Sequence, residues 1–105
     1  MLIIKENDIY LTRGDTAYIE LSICGDYKPQ AEDKVYFSVK KKVKDTDYTF
    51  QVVSNFDEII YIAPEDTKDL EYGRYLYDCE IRTAIGEVFT VSSGYFNLTE
   101  EITNE

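Results

Sequence analysis

The chain has 105 residues, 44% of them hydrophobic and 30% charged, which is a globular composition at the commonest size for one domain. Twenty-one acidic residues against 11 basic ones leave a net charge of −10, which repels phosphate backbones and argues against nucleic acid as a partner. There is no histidine, so the commonest general base near neutral pH and the commonest metal ligand are missing.

In chain order, the opening "MLIIK" is too short for a signal-peptide core and has no basic residue ahead of it. No apolar run approaches the roughly 18 residues of a membrane span, so no membrane association is expected and the expected setting is a cytosol. "DIYL" (8–11) is the first predicted strand. Arg13-Gly14-Asp15 follows, a tripeptide known as a cell-adhesion signal, at a point where the chain must bend. Gly14 supplies a positive φ without steric cost, and Asp15 suits an Asx-type turn, so the tripeptide is expected to be a structural turn in which Arg13 needs only solvent.

The next segments alternate with period 2. "TAYIELSIC" (16–24) places Ala17, Ile19, Leu21 and Ile23 on one face, and "KVYFSVK" (34–40) turns Val35, Phe37 and Val39 inward. "KKKVK" (40–44) is the one basic cluster; near a strand end its lysines are expected to deter edge-to-edge pairing. "YTFQVV" (48–53) and the apolar run "EIIYIA" (58–63) come next. "PEDTKDL" (64–70), with Pro64 first and acids in its first turn, is the one helical candidate, one or two turns long. "RYLYDCEIR" (74–82) groups Tyr75, Tyr77, Cys79 and Ile81. "EVFTV" (87–91) and "YFNLT" (95–99) are read as two strands with a turn at Ser93-Gly94 between them.

Seven to eight short strands at regular spacing predict an all-β protein, a single antiparallel β-sandwich over residues 1–105, with a small closed barrel as the alternative. Cys79 shares the core face of Tyr77 and Ile81, whereas Cys24 is out of phase with Ile19, Leu21 and Ile23. Two free thiols are therefore expected, although a bulge would restore a pairing. The acids are scattered at turns and on alternate strand positions, as solubility alone would place them. Asp45 with Asp47, and Glu65 with Asp66, fall short of the ligand count of a calcium loop. No catalytic residue, metal or cofactor is expected. On predicted outward positions Tyr10, Tyr18 and Tyr36 stand beside Glu20 and Ser38, residues suited to an interface or simply to covering their own sheet.

"APEDTKDLEYGRYLYDC" (63–79) resembles the E–F corner of immunoglobulin domains, where a tyrosine two residues before a cysteine hydrogen-bonds back over the turn. The resemblance implies that Tyr77 is that tyrosine, or Tyr75 in its place. Taken together, "LTRGDTAYIELSI" (11–23), "KVYFSVKKK" (34–42), "IAPEDTKDLEYGRYLYDCEI" (62–81) and "GYFNLTEEIT" (94–103) resemble small immunoglobulin-like proteins of phages and prophages. These are related to the immunoglobulin-like domain of siphophage baseplate upper proteins. The resemblance implies an immunoglobulin-like fold and a non-enzymatic structural or assembly role in a virion (tail, baseplate or neck), assembled in the bacterial cytoplasm. Its partners would be other virion proteins or copies of itself. A carbohydrate-binding module that holds a bacterial surface is the alternative, with the same tyrosines stacking on sugar rings.

Overall fold

The structure is a computed structural model describing residues 1–20, 30–55 and 59–100. Eight strands and one short helix follow the order β1 (Leu2–Lys5), β2 (Asp8–Thr12), β3 (Ala17–Glu20), β4 (Lys34–Lys40), β5 (Phe50–Asn55), β6 (Ile59–Ile62), α1 (Pro64–Thr67), β7 (Gly73–Arg82) and β8 (Val88–Thr99). Six strands form one sheet in the order β1-β2-β8-β7-β4-β5, and β3 and β6 form a second, two-stranded sheet. The protein is an all-β sandwich. The run β8-β7-β4-β5 facing β3 and β6 has the strand order of an immunoglobulin-like sandwich of the variable type.

Alternation accounts for the core. From the large sheet Ile9, Leu11, Val35, Phe37, Val39, Tyr75, Tyr77, Cys79, Ile81, Phe96 and Leu98 are buried; from the small sheet Ala17, Ile19, Ile60 and Ile62 meet them. Phe37 is the hub, with ring centroids 5.3 Å from Tyr77, 6.1 Å from Phe96 and 6.4 Å from Phe50. Aromatic pairs at these separations add to the large apolar area that each ring removes from water.

Four expectations need correction. The sandwich is not wholly antiparallel: β2 runs parallel to β8, with Ile9 beside Phe96 and Leu11 beside Leu98. A parallel pair is possible here because the two strands are far apart in sequence and need no tight turn between them. "MLIIK" forms a strand, β1, joined to β2 by Glu6 and Asn7; Glu6 (φ 54°) is the one non-glycine residue at positive φ among the described residues. The expected strands 87–91 and 95–99 are one strand, β8, with Val91 as an extra residue between the pairs Cys79–Ser92 and Glu80–Thr90. Gly94 is no turn residue: a Cβ there would stand 2.6 Å from the Asn7 carbonyl oxygen, so it is glycine because the β1–β2 hairpin tip passes over it. Finally, "KKKVK" guards no edge, because β4 lies inside the sheet between β7 and β5 and the lysines open the 41–49 connection instead.

The expected strand over 16–24 is seen as β3 up to Glu20; its remainder, with Cys24, lies outside the described residues. Cys79 is a buried free thiol whose pKa burial pushes up to about 12, with Asp78 and Glu80 adding to the rise. Such a thiol is inert in the native state.

Candidate functional site

The helical turn α1 and the start of β7 build one corner of the molecule. The Asp66 carboxylate accepts the Ala63 N–H at 2.9 Å, fixing the entry of a helix that ends at Thr67, earlier than the expected 64–70. Thr67 is fully buried, and its Oγ1 accepts the Gly14 N–H at 2.9 Å. Gly14 has a φ of 82°, and the Asp15 N–H donates to the Thr12 carbonyl at 3.1 Å. Arg13 does not simply meet solvent: its guanidinium lies 4.1 Å from the Tyr72 ring centroid and donates to the Leu70 carbonyl at 3.2 Å. The Asp15 carboxylate accepts from the Met1 amino group. The Arg-Gly-Asp segment is thus a half-buried clasp that ties the β2–β3 turn to the α1–β7 corner.

The tyrosine corner belongs to Tyr75 alone. Its Oη donates to the Glu71 carbonyl at 2.8 Å, four residues upstream. Tyr77 stands one side-chain repeat further along β7, beyond reach of that turn, and its Oη donates instead to the Asn7 carbonyl beneath the β1–β2 hairpin. Burial raises both phenol pKa values, so both remain donors at neutral pH.

The four interface candidates do not come together. Tyr18 and Glu20 stand on the outer face of the small sheet, where Tyr18 is 66% exposed and pairs with Tyr61 at 5.2 Å between ring centroids. Tyr10 and Tyr36 stand on the outer face of the large sheet, on β2 and β4, with β8 and β7 between them. The Tyr36 ring is covered by the Arg82 guanidinium at 4.0 Å, and Arg82 is held by bonds of 3.1 and 3.2 Å to Glu80 Oε1.

The outer face of the large sheet carries a feature that sequence reasoning missed: a trough of about 440 Å³. It is lined by Ser38 and Lys40 on β4, Leu76 to Asp78 on β7, Ser93 to Tyr95 on β8, and Val43 and Tyr48 from the 41–49 connection. The connection is itself fixed. Lys40 Nζ donates to the Asp45 carbonyl at 2.8 Å and sits 5.2 Å from the Tyr48 ring centroid, and Asp45 Oδ2 accepts the Lys42 N–H at 3.1 Å. Arg74 lies over Tyr95 at 4.4 Å.

Asp78 is the chemically distinct group of the trough. It is half-buried, and no hydrogen bond among the described residues reaches its carboxylate. Its pKa is raised from the ordinary 3.8 by burial first and then by Glu80, against the opposing pull of Lys40 and Arg82. Neighbouring Ser38 Oγ is taken by Gln51 Nε2 at 2.8 Å. A second trough, of about 410 Å³, is lined by residues 30–33 and by Thr83, Ala84, Ile85 and Glu87. Among the described residues, no three His, Cys, Asp or Glu side chains gather closely enough to hold a metal ion.

No family model, curated protein or solved structure matches this chain.

Proposed function

We propose that the chain is a non-enzymatic assembly module of a phage or prophage particle, in the tail, baseplate or neck. It acts by presenting the outer face of its six-stranded sheet to another virion protein or to a copy of itself. The observation that carries this reading is the character of that face. Val43 (79% exposed), Val53 (51%), Val88, Tyr48 and Tyr95 stand outward on and around it, and Val53 pairs across the strands with Tyr36. Large side chains grouped on an open sheet face are the kind of surface proteins use to bind one another. The resemblance of segments 11–23, 34–42, 62–81 and 94–103 to phage immunoglobulin-like proteins supplies the particle.

The test is to purify particles from a strain that encodes the protein and to quantify the chain in them by mass spectrometry. The native chain should be present in fixed proportion to the other virion proteins, and Val53→Arg should lose incorporation while keeping the thermal transition of the native fold. Absence of the chain from particles, or full incorporation of Val53→Arg, would overturn the reading.

A further inference from the structure

Strand β1 ends one side of the six-stranded sheet, and among the described residues β2 is its one ladder partner. A single bond fixes where its backbone groups point. The Met1 carbonyl accepts the Thr12 N–H at 3.0 Å, so Met1 and Thr12 form a hydrogen-bonded pair of the antiparallel ladder. Such pairs alternate with non-bonded ones. Ile3 and Lys5 therefore bond toward β2, while the N–H and C=O groups of Leu2 and Ile4 point away from it, onto an open edge. The same phase carries across β2, where the Ile9 and Leu11 carbonyls face β8 and meet the side chains of Asn97 and Thr99.

Little on β1 blunts that edge. The strand is short, but it has no proline, its register with β2 has no bulge, and its one charged residue, Lys5, is the last. Ile3 and Ile4 are 41% and 47% exposed. Ile4 is paired with buried Ile9 and so lies on the inner face, yet it stays open, so the small sheet does not extend over β1.

We infer that β1 is a dimerisation edge, which pairs antiparallel with β1 of a second copy about a two-fold axis at Ile3 and so joins the two large sheets edge to edge. Any strand satisfies an open edge; this one is complementary to itself. With the axis at Ile3, Leu2 faces Ile4 of the second copy and Ile4 faces its Leu2, so every outward N–H and C=O on both edges is bonded. Ile3 then meets Ile3 in the non-bonded position between them, where side chains approach most closely. Both members of each pair lie on the same face of their own sheets, as a two-fold axis through the joined sheet requires. An axis at Ile4 would instead set Leu2 against Glu6, which has left the strand at a φ of 54°. No carboxylate lies on β1, so the ladder brings no two acids together, and the charge of −10 on each copy acts at longer range. This edge is a different surface from the outer face proposed above and does not depend on it. A ladder of this length buries less than a standard interface, so the dimer is weak.

The test is sedimentation equilibrium of the full chain over a concentration series that reaches about 1 mM. The mass should climb from one chain toward two, and at lower concentration as added salt screens the repulsion between copies. A single-chain mass throughout would overturn the pairing, and so would growth past two chains, which would mean that β1 meets a different edge. Ile4→Pro removes an outward N–H and leaves the β2 ladder whole, so it should give a folded monomer. Ile3→Lys sets two like charges at the axis while lowering the net charge, and it should do the same. A dimer undiminished in Ile3→Lys would overturn the inference even if Ile4→Pro fails to fold. The register is read by cross-linking. A non-bonded pair holds its Cα atoms about 4.5 Å apart, within reach of a disulfide. With oxidised glutathione, Ile3→Cys should form more covalent dimer than the native chain run beside it, and Ile4→Cys should not. Equal cross-linking of the two variants would overturn the axis at Ile3. A chain that dimerises through β1 yet is missing from particles would overturn the particle reading alone, and an incorporated chain that stays monomeric would overturn the dimer alone.

Discussion

The α1–β7 corner and the trough over β4, β7 and β8 lie against the start and the middle of one strand and treat their polar groups in opposite ways. At the corner, Thr67 Oγ1, the Arg13 guanidinium, the Tyr75 hydroxyl and the Asp66 carboxylate each meet a partner within the chain. In the trough, Asp78 is half-buried with no donor from the described residues, under a raised pKa. A region whose groups are satisfied internally is explained by the fold alone. A region that holds a charged group partly out of water with nothing bonded to it is not, because the fold would be more stable with a neutral side chain there. This contrast moves attention from the adhesion-like tripeptide, the most conspicuous motif in the sequence, to an aspartate that no motif marks.

The comparison can be broken most forcefully at the corner. Thr67→Val keeps the shape of the buried side chain and leaves the Gly14 N–H without its acceptor, so chemical denaturation should show a loss of about 1–3 kcal/mol. A stability equal to the native chain's would mean that the clasp holds nothing. Tyr75→Phe removes only the hydroxyl that closes the turn on Glu71, and a loss of about 0.5–1.5 kcal/mol is expected from the same measurement. Arg13→Ala gives up a part-exposed hydrogen bond and a stacked cation, which should lower stability by about 1 kcal/mol or less.

The trough should respond with the opposite sign. Because the native pKa of Asp78 lies above its ordinary 3.8, the native state holds that proton more tightly than the unfolded chain does. Its ionised form therefore destabilises the fold at neutral pH, and this penalty fades as the pH falls through the raised native value toward 3.8. Asp78→Asn should be the more stable protein at pH 7, with an advantage that shrinks on acidification across that window and stays level above it. Melting temperatures of both chains as a function of pH give the answer, and a less stable Asp78→Asn at pH 7 would erase the distinction between the two regions.

Much of the sandwich was legible in the sequence because one buried face per strand imposes a period of 2, and β2, β6 and β7 keep it. Where a local pattern has two causes, the sequence misleads. Ser92-Ser93-Gly94 has turn chemistry, yet Gly94 answers to the approach of Asn7, which only the tertiary fold brings there. Leu2, Ile3 and Ile4 do not alternate in polarity, so β1 left no signal as a strand. Arg13 looked solvated because its partners, Leu70 and Tyr72, lie far along the chain. The trough was hidden for the same reason. Asp78 is readable as outward-facing on β7, but the trough around it also takes in Val43 and Tyr48 of the 41–49 connection, whose path no local residue preference specifies.

The parallel alliance of β2 with β8 sets the order of events when the protein is made. A ribosome delivers β2 long before β8, the strand that completes its ladder through Ile9–Phe96 and Leu11–Leu98. Until then the first hairpin waits with an open flank, at hazard of pairing with a stranger. Closure of the sheet therefore waits until β8 has left the ribosome and is slowed by the long loop that must be gathered first, so the growing chain is most vulnerable just before β8 emerges.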